Sequence, residues 1–403
     1  MADKDERIDW ILKQIQKIKE DMESLDQDRA EALRFYRSAP EIVEFKKGRS
    51  KATTTDMMDT IEWIKPSLLE IFASGDEVVS LQPAGEEDTV AVENQNLLVN
   101  QQLRVKNNWF MLMHDWIDDA LKCKTGAIKY QWFKKVETID KEYEGLTPDE
   151  FAAIASKPNT SVVSKEERIL KEAVIDDFGK LMEPAVVEID CVVQITVEDE
   201  YPLLEVCPAE EVGFPLNMRD IKTCPFFYHR VRYEPWEFKK KFGEKKYDEY
   251  KQRKDDETQT ENERLKDLGG KDFYWDEQKG QFIGYECYFF DPDTGKPLVC
   301  DVVADEVFDE RDNKYRKPPF HVITPIKMAH RVAGLSIYDL IKELQQIRTA
   351  ILRQILDNLY FANNRRYFGD PERLNVDDYL NSNFPGALIR TEGDPRAVVM
   401  PEE

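Results

Sequence analysis

The chain has 403 residues, 41% of them apolar and 11% aromatic, a composition that excludes a disordered protein and allows two or three hydrophobic cores. Its formal net charge of −23 argues against a protein that binds DNA phosphates through clustered lysine and arginine. The charge favours solubility or a surface that repels nucleic acid. The six cysteines lack paired spacing, and no stretch approaches the roughly 20 apolar residues of a membrane span. We therefore expect reduced thiols, no metal site, and a protein made and kept in a cytoplasm.

Residues 1–40 predict a helix with heptad spacing. Its apolar positions recur at alternating intervals of three and four residues, at Ile8, Ile11, Ile15, Ile18, Met22 and Leu25. Such a seam packs against another surface along its whole length. We interpret it either as a contact with a partner or a neighbouring subunit, or as packing on the chain's own body.

The next element is the run GRSKATTTDMMDTIEWIKPSLLEIFASG at residues 48–75, followed by DEVV and by LQPAG. It predicts a basic turn and then an amphipathic helix that Thr55 or Asp56 caps. The predicted buried face contains Ile61, Ile64, Leu68, Ile71 and Phe72. Pro66 removes one intrahelical hydrogen bond, so we expect it to kink the helix or to divide it in two near Ile64.

A helical pattern continues through residues 88–122. After Gly126 the period of the apolar residues changes to two, at Ile128, Tyr130 and Trp132. This alternation predicts a half-buried strand that follows the helices directly.

The middle of the chain predicts strands interrupted by charged segments. Residues 138–181 predict a peripheral insertion with one or two short helices, and strands resume over residues 185–206 and 226–232. Residues 244–272 are a mixed-charge run that predicts an exposed helix or a mobile loop. Residues 282–308 predict a hairpin, because a turn rich in proline, glycine and aspartate separates two apolar strands.

The clearest helix of the sequence follows Ser336, a good cap residue. One apolar stripe recurs over about six turns, and we expect the chain to bury it. Its members are Ile337, Leu340, Leu344, Ile347, Ile351, Ile355 and Leu359. Four polar residues stand on the other faces, Gln345, Arg348, Arg353 and Asp357, and a solvated face is one interpretation of them.

No catalytic motif accompanies these elements. The sequence lacks a G-x-x-x-x-G-K-[ST] phosphate loop, a G-x-S-x-G elbow and an H-E-x-x-H metal motif. We interpret His114 as a packed residue of an apolar helix, and His321 and His330 as structural because no ligand residue lies at metal-binding spacing. We expect neither an enzyme nor a cofactor.

Two stretches resemble the portal proteins of tailed bacteriophages, particularly those of short-tailed phages. The first is the run at residues 48–85. The second is GLSIYDLIKELQQIRTAILRQILDNLY at residues 334–360, which continues to NNRR and later to PGALIR. The run CPAEEVGF at residues 207–214 is also similar to the family, and the resemblance covers residues 40–395. It implies an α+β portal fold with a mixed α/β wing and long helices.

The predicted elements and the resemblance together divide the chain into four segments. The segments are a heptad helix at 1–40, a helical region with the GRS run at 41–125, an α+β wing-like domain at 126–333 with charged insertions at 138–181 and 244–272, and a long helix leading toward a stem and clip at 334–403.

Portal proteins form rings, usually of about twelve subunits, at one vertex of the capsid, and double-stranded DNA is packaged and ejected through them. The resemblance implies a homo-oligomeric structural protein of the virion, assembled in the bacterial cytoplasm and not bound to a membrane. The implied partners are the terminase large subunit, capsid and scaffolding proteins, head-completion or tail-adaptor proteins, and DNA that passes without specific binding. Candidate subunit-interface residues are Ile8, Ile11, Ile15, Ile18, Gln345, Arg348, Arg353 and Asp357.

Portals of this type usually extend well beyond 403 residues, with channel-lining helices expected after PGALIR. The resemblance therefore implies a C-terminally truncated chain: a fragment, an interrupted prophage gene or a short variant. No DNA-contacting residue is assigned for this reason.

Two other classes of protein stay open. A cytosolic coiled-coil scaffold would dissociate when Ile15 and Ile18 become polar. A DNA-processing enzyme, or a non-catalytic subunit of a DNA-packaging complex, is the second alternative, and the enzyme would show nuclease or ATPase activity.

Overall fold

The computed structural model describes residues 4–45, 48–75, 77–83, 85, 89–171, 174–175, 181–183, 186–250, 258–267, 282–363, 367–369, 372, 373, 375, 377, 390, 392–394 and 399–401. The chain divides into two compact units. The first comprises Met1–Glu70, His114–Ala127 and Cys207–Glu403, and the second comprises Ile71–Met113 and Ile128–Val206. The four-segment division expected from the sequence stays a prediction.

Helices and strands both make up large parts of the molecule, which confirms the predicted α+β class. The helices of the described residues are α1 (Lys4–Tyr36), α2 (Asp56–Ala73), α3 (Thr89–Gln101), α4 (Trp109–Cys123), α5 (Pro148–Ala155), α6 (Pro235–Phe242), α7 (Glu244–Tyr250), α8 (Gln259–Asp267) and α9 (Ile337–Asn363). The strands are β1 (Gly126–Leu146), β2 (Thr160–Lys171), β3 (Val174–Ile175), β4 (Leu181–Glu183), β5 (Val186–Cys207), β6 (Val212–Gly213), β7 (Phe226–Tyr233), β8 (Phe282–Phe290), β9 (Pro297–Val303), β10 (Glu306–Asp312), β11 (Phe320–Ile323), β12 (Tyr367–Gly369) and β13 (Val399–Pro401).

An antiparallel sheet with the strand order β10-β9-β8-β7-β6 forms the centre of the first unit. The predicted hairpin over residues 282–308 is confirmed as β8 and β9, with Cys287 opposite Cys300. The turn between them is closed by a hydrogen bond of 2.8 Å from the amide of Asp291 to the carbonyl of Lys296. All six cysteines are free and buried, as the sequence predicts for reduced thiols.

Helix α1 packs on this sheet through its heptad seam. Ile11, Ile15 and Ile18 lie in one buried cluster with apolar residues of β7, β8 and β9. At the start of the helix, the Trp10 ring lies 5.8 Å from that of Phe226. Burial of each such aliphatic side chain contributes about 1.5 to 3 kcal/mol, so the seam is a main source of stability for the first unit.

The second unit contains a long antiparallel ribbon in which β5 lies between β1 and β2. The strand predicted after Gly126 is confirmed, but it extends to Leu146. The segment at 138–181 was predicted to hold one or two short helices, and its described residues contain one, α5, which begins at a capping box of Thr147 and Glu150. The length of β1 was not predicted, because charged residues on a strand exposed on both faces have no apolar alternation to reveal it.

The helical pattern of residues 88–122 is confirmed, with a break that the sequence analysis did not anticipate. Helix α3 leads into a π-helical turn, Gln102–Lys106, before α4 begins. Asn108 has a φ of 48°, a left-handed conformation that asparagine tolerates better than most residues. The Asn107 side chain donates hydrogen bonds of 2.9 Å to the carbonyls of Gln102 and Pro202, and so fixes the break.

Helix α2 differs from the expectations in two respects. It continues as one helix through Pro66, so the proline does not divide it, and the alternative of a kink at Pro66 stays a prediction. Its buried residues are Met57, Ile61, Lys65 and Leu69, whereas Ile71 and Phe72 are exposed. The buried face therefore differs from the predicted one, because Lys65 lies on it. Its Nζ lies 2.7 Å from Glu62 Oε1 and 3.0 Å from Asp118 Oδ1.

Helix α8 lies within the mixed-charge run that the sequence predicted to be exposed, and that prediction was wrong. Thr260, Glu261 and Glu263 are buried. Glu263 accepts a hydrogen bond of 2.9 Å from Arg34 Nε and pairs with Arg37, both near the end of α1. Charged residues can be buried when each finds a partner, which composition alone does not show. Residues 251–257 and 268–272 of the run lie outside the described residues.

Helix α9 begins as predicted. The Ser336 amide donates a hydrogen bond of 2.8 Å to Asp339 Oδ2, and its hydroxyl contacts the same carboxylate. Just before the helix, a Cβ at Gly334 would lie 2.0 Å from the carbonyl oxygen of Ile326. Only glycine therefore allows the chain to enter α9 along this path.

Candidate functional site

The isoleucines of the predicted interface seam lie inside the first unit. Ile11, Ile15 and Ile18 are at most 5% exposed, and Ile8 is half-buried. In the single chain, the seam therefore packs on the chain's own body. A role at a subunit contact stays a prediction for these four residues.

The polar residues of α9 are also engaged within the chain, and the Gln345 side chain makes three hydrogen bonds. Its Oε1 accepts a hydrogen bond of 3.1 Å from the amide of Met57 in the first turn of α2. Its Nε2 donates to the carbonyls of Phe35, at 3.1 Å, and of Thr54, at 2.8 Å. The first free amides of a helix need an acceptor, and here a glutamine distant in sequence supplies it in place of a local cap.

Two turns further along α9, the Arg353 guanidinium binds three backbone carbonyls. Nε donates to Ala52 at 2.8 Å, Nη1 to Val43 at 2.7 Å, and Nη2 to Pro40 at 2.8 Å. The planar fork of arginine matches several acceptors at fixed angles, so this one side chain positions the loop between α1 and α2.

The other two candidate residues flank this contact. Arg348 forms an ion pair with Asp56, although its own side chain is 58% exposed. Asp357 accepts a hydrogen bond of 2.8 Å from the amide of Ser50 and lies 3.9 Å from Nη1 of Arg49. The basic turn of the GRS run is therefore attached to α9, and a subunit contact through these residues stays a prediction.

The structure thus joins the two motifs that carried the resemblance. The segment before α2 packs along the polar face of α9, while the isoleucine seam lies against the sheet. The sequence analysis missed Thr349, which is buried and whose hydroxyl accepts a hydrogen bond of 3.2 Å from the amide of Thr54. The signal was present, because Gln345, Thr349 and Arg353 recur every fourth residue and therefore share one face.

The apolar stripe of α9 corrects a further expectation. Apart from Ile337, its members are between 50% and 60% exposed: Leu340, Leu344, Ile347, Ile351, Ile355 and Leu359. The chain buries the polar face because that face provides hydrogen bonds that the loop before α2 requires. The helix consequently presents its apolar face outward.

A second group of buried polar residues fastens α1 to α4. The Arg29 side chain donates to the Cys123 carbonyl at 3.2 Å and to the Thr125 hydroxyl at 2.7 Å. Arg264 lies 2.7 Å from Asp119 Oδ1 and 2.9 Å from a carboxylate oxygen of Glu210. Burial raises the pKa of the Cys123 thiol to about 12, so it stays protonated and is a poor nucleophile. This arrangement is suited to structural support.

Glu211 makes the stability of the first unit depend on pH. Burial raises the pKa of Glu211 to about 7, even though Arg232 Nε lies 3.3 Å from its carboxylate. The folded state then binds more protons than the unfolded state between about pH 4.5 and pH 7, so this carboxyl destabilises the fold as the pH rises. Glu211→Gln should increase the free energy of unfolding by about 3 kcal/mol at pH 8 and by little at pH 4. Urea unfolding of both proteins at the two pH values measures the difference, and an equal change at both would contradict this origin.

Neither metal binding nor membrane insertion has support in the part of the chain that the structure describes. Among those residues, no group of three or more His, Cys, Asp or Glu side chains is placed to hold a metal ion. None of the helices in the same residues combines the length and apolar character needed to cross a bilayer.

Comparison with known proteins identifies the family. A search of curated proteins finds no match. A family model described as Phage SU10 portal protein matches residues 11–403, which includes most of α1, and α2, the sheet of the first unit, the ribbon of the second unit and α9. Because this match covers nearly the whole chain, the protein belongs to the Phage SU10 portal protein family.

Proposed function

We propose that this protein is the subunit of a portal ring of a short-tailed phage. About twelve copies would surround an opening at one capsid vertex, through which double-stranded DNA enters during packaging and leaves during ejection. The observation that carries the proposal is the family match over residues 11–403. In the same proposal the ring docks the terminase large subunit and later the head-completion or tail-adaptor proteins, and it contacts capsid and scaffolding proteins during assembly in the bacterial cytoplasm.

The charge of the chain supports free passage of DNA. A net charge of −23 per subunit creates a negative potential that a ring would multiply, and duplex DNA is itself strongly negative. DNA would therefore slide past such a surface without being held. The sequence contains no phosphate-loop motif, and we propose that a partner ATPase supplies the energy for packaging.

The scaffold alternative has less support. It requires the isoleucine seam of α1 to contact a second copy, yet Ile11, Ile15 and Ile18 contribute to the core of their own first unit. A dimer through this seam would first have to remove α1 from the sheet. That exposure would cost several kcal/mol, because each of these side chains contributes about 1.5 to 3 kcal/mol when buried.

The mass of the purified protein in solution tests the proposal. We expect multi-angle light scattering to give the mass of about twelve chains, and negative-stain images of the same peak to show rings with a central opening. A small oligomer that dissociates after Ile15 and Ile18 are made polar, while circular dichroism shows that the chain stays folded, would support the scaffold instead. A monomer at all concentrations would contradict ring formation by this chain.

A further inference from the structure

Two asparagines of helix α3 bind the backbone of the segment that precedes this helix. Asn100 Oδ1 accepts hydrogen bonds from the amides of Val78, at 2.7 Å, and Val79, at 3.1 Å, and Asn100 Nδ2 donates to the Val79 carbonyl at 2.9 Å. Asn96 Oδ1 accepts a hydrogen bond of 2.7 Å from the Leu81 amide, and its Nδ2 donates to the Leu81 carbonyl at 3.2 Å. All five bonds go to backbone groups, so none of them depends on the side chains of the bound segment.

The spacing of the two asparagines matches the repeat of an extended chain. Asn96 and Asn100 are four residues apart on the helix, which is about 6 Å along its axis. Two residues of an extended chain span about 6.6 Å, so Val79 and Leu81 can each meet one asparagine. We call residues 78–81 the strap and the two asparagines the clamp. The clamp therefore accepts an extended chain of almost any sequence, except one with proline at the bound amides.

The clamp is rigid, whereas the strap is weakly held. Asn100 is only 8% exposed, and its Nδ2 also donates a hydrogen bond of 2.9 Å to the Asn96 carbonyl in the preceding turn of α3. This bond fixes the orientation of the side-chain amide before any chain binds. In the strap, Val79 is half-buried, and Ser80 and Leu81 are exposed. A segment that buries so little apolar surface opens locally at a small cost in free energy.

A cavity of about 840 Å³ lies beside the clamp, within the second unit. Both asparagines line it, and so do the side chains of Leu97 and Val105, which are 72% and 71% exposed. The strap thus leaves these two apolar side chains uncovered. Groups that bind a backbone, next to an apolar wall with free space, are the features of a site that binds an extended peptide.

We propose that the clamp and this cavity form a binding site for an extended peptide segment of a partner protein, and that the strap occupies the clamp until such a segment displaces it. The strap lies seven residues before α3, so it competes as a tethered ligand at an effective concentration in about the millimolar range. A partner segment displaces it by placing apolar side chains on Leu97 and Val105, which the strap leaves exposed.

A variant with a disabled strap tests this site. Val79→Pro combined with Leu81→Pro removes two amides that the clamp binds, and proline keeps the chain extended. The ligand is a fluorescein-labelled peptide EVVSLQP, the sequence of residues 77–83, which includes the strap that the clamp already binds. We expect fluorescence anisotropy to show binding to this variant about tenfold tighter than to the wild-type protein. Equal affinity for the two proteins, or no binding to the variant, would overturn the proposal.

Alanine substitutions then decide whether the clamp itself binds the peptide. In the protein with the disabled strap, Asn96→Ala should weaken peptide binding about tenfold, because it removes two hydrogen bonds. Asn94→Ala is the matched control, since Asn94 is an exposed asparagine of the same helix. Circular dichroism confirms that each variant stays folded.

Hydrogen exchange in the protein with an intact strap gives an independent measurement. The Leu81 amide should exchange faster after Asn96→Ala, which removes its acceptor, and should be unchanged after Asn94→Ala. Equal effects of the two substitutions, on exchange or on peptide binding, would overturn the role given to the clamp. None of these measurements depends on ring formation, so their failure would leave the portal function standing.

Discussion

Replacing Gln345 with alanine should lower the free energy of unfolding by about 4 kcal/mol, because three buried backbone groups would lose their partner at once. The side chain is completely buried and bonds the Met57 amide and the carbonyls of Phe35 and Thr54. An unsatisfied buried polar group costs about 1 to 3 kcal/mol, and alanine would also leave a cavity that water fills poorly. The loss should be largest at the start of α2, whose first turn has this glutamine as acceptor.

Urea unfolding followed by tryptophan fluorescence measures the change, with the oligomeric state of each protein matched by light scattering. Gln354→Ala is the control, because Gln354 is an exposed glutamine of the same helix and its loss should change stability by less than about 0.5 kcal/mol. Hydrogen exchange adds a local measurement: the Met57 amide should exchange faster in Gln345→Ala only. Equal stability of the two variants would contradict the role given to Gln345.

The sequence predicted where α9 begins and which of its residues share a face. It did not predict which face is buried. Periodicity reports that Leu340, Leu344 and Ile347 lie together, but it carries no information about what each face meets. We expected the chain to cover the apolar stripe because burial of apolar surface usually drives packing. Four carbonyls of the loop before α2 and the Met57 amide in the first turn of α2 instead required the polar face.

Ion pairs between residues distant in the sequence were the other feature that could not be predicted. Residues 244–272 were expected to be exposed because charged side chains are usually solvated. Glu263 in fact pairs with Arg34 and Arg37, which lie more than 200 positions earlier in the chain. By contrast, the hairpin at 282–308 and the strand after Gly126 followed from local turn chemistry and alternation, so they could be predicted.

The residues of the candidate site could be selected from the sequence, and their role at a subunit contact stays a prediction. The GRS run and the α9 stretch were both identified from their residues, and the four polar residues named on α9 all proved to make defined contacts. That the two motifs bind each other was not predicted, since one sequence gives no pairing between positions 300 residues apart. Lys65 illustrates the same limit, because its burial in α2 depends on Asp118 of α4.

Replacing Arg353 with methionine should lower the free energy of unfolding by about 4 kcal/mol, close to the effect at Gln345 but through other backbone groups of the loop between α1 and α2. Methionine keeps much of the apolar stem and removes the guanidinium, so the carbonyls of Pro40, Val43 and Ala52 lose three charge-assisted hydrogen bonds. Hydrogen bonds to a charged group contribute about 1.5 to 3 kcal/mol each, and part of this is recovered where water reaches the freed carbonyls. Arg353→Lys should be intermediate, because one ammonium cannot match three acceptors that diverge from a planar fork.

Arg348→Met provides the matched control, since it makes the same chemical change five residues earlier on the same helix. Arg348 is exposed and pairs only with Asp56 among the contacts described for it, and an exposed ion pair contributes about 0 to 1 kcal/mol. Asp56 would still stabilise the fold after the loss of Arg348, because a carboxylate in the first turn of α2 interacts favourably with the helix dipole. Urea unfolding should therefore separate the two variants by about 3 kcal/mol. Similar losses for both would mean that the arginines of α9 act through general charge, and that the loop between α1 and α2 does not depend on the guanidinium of Arg353.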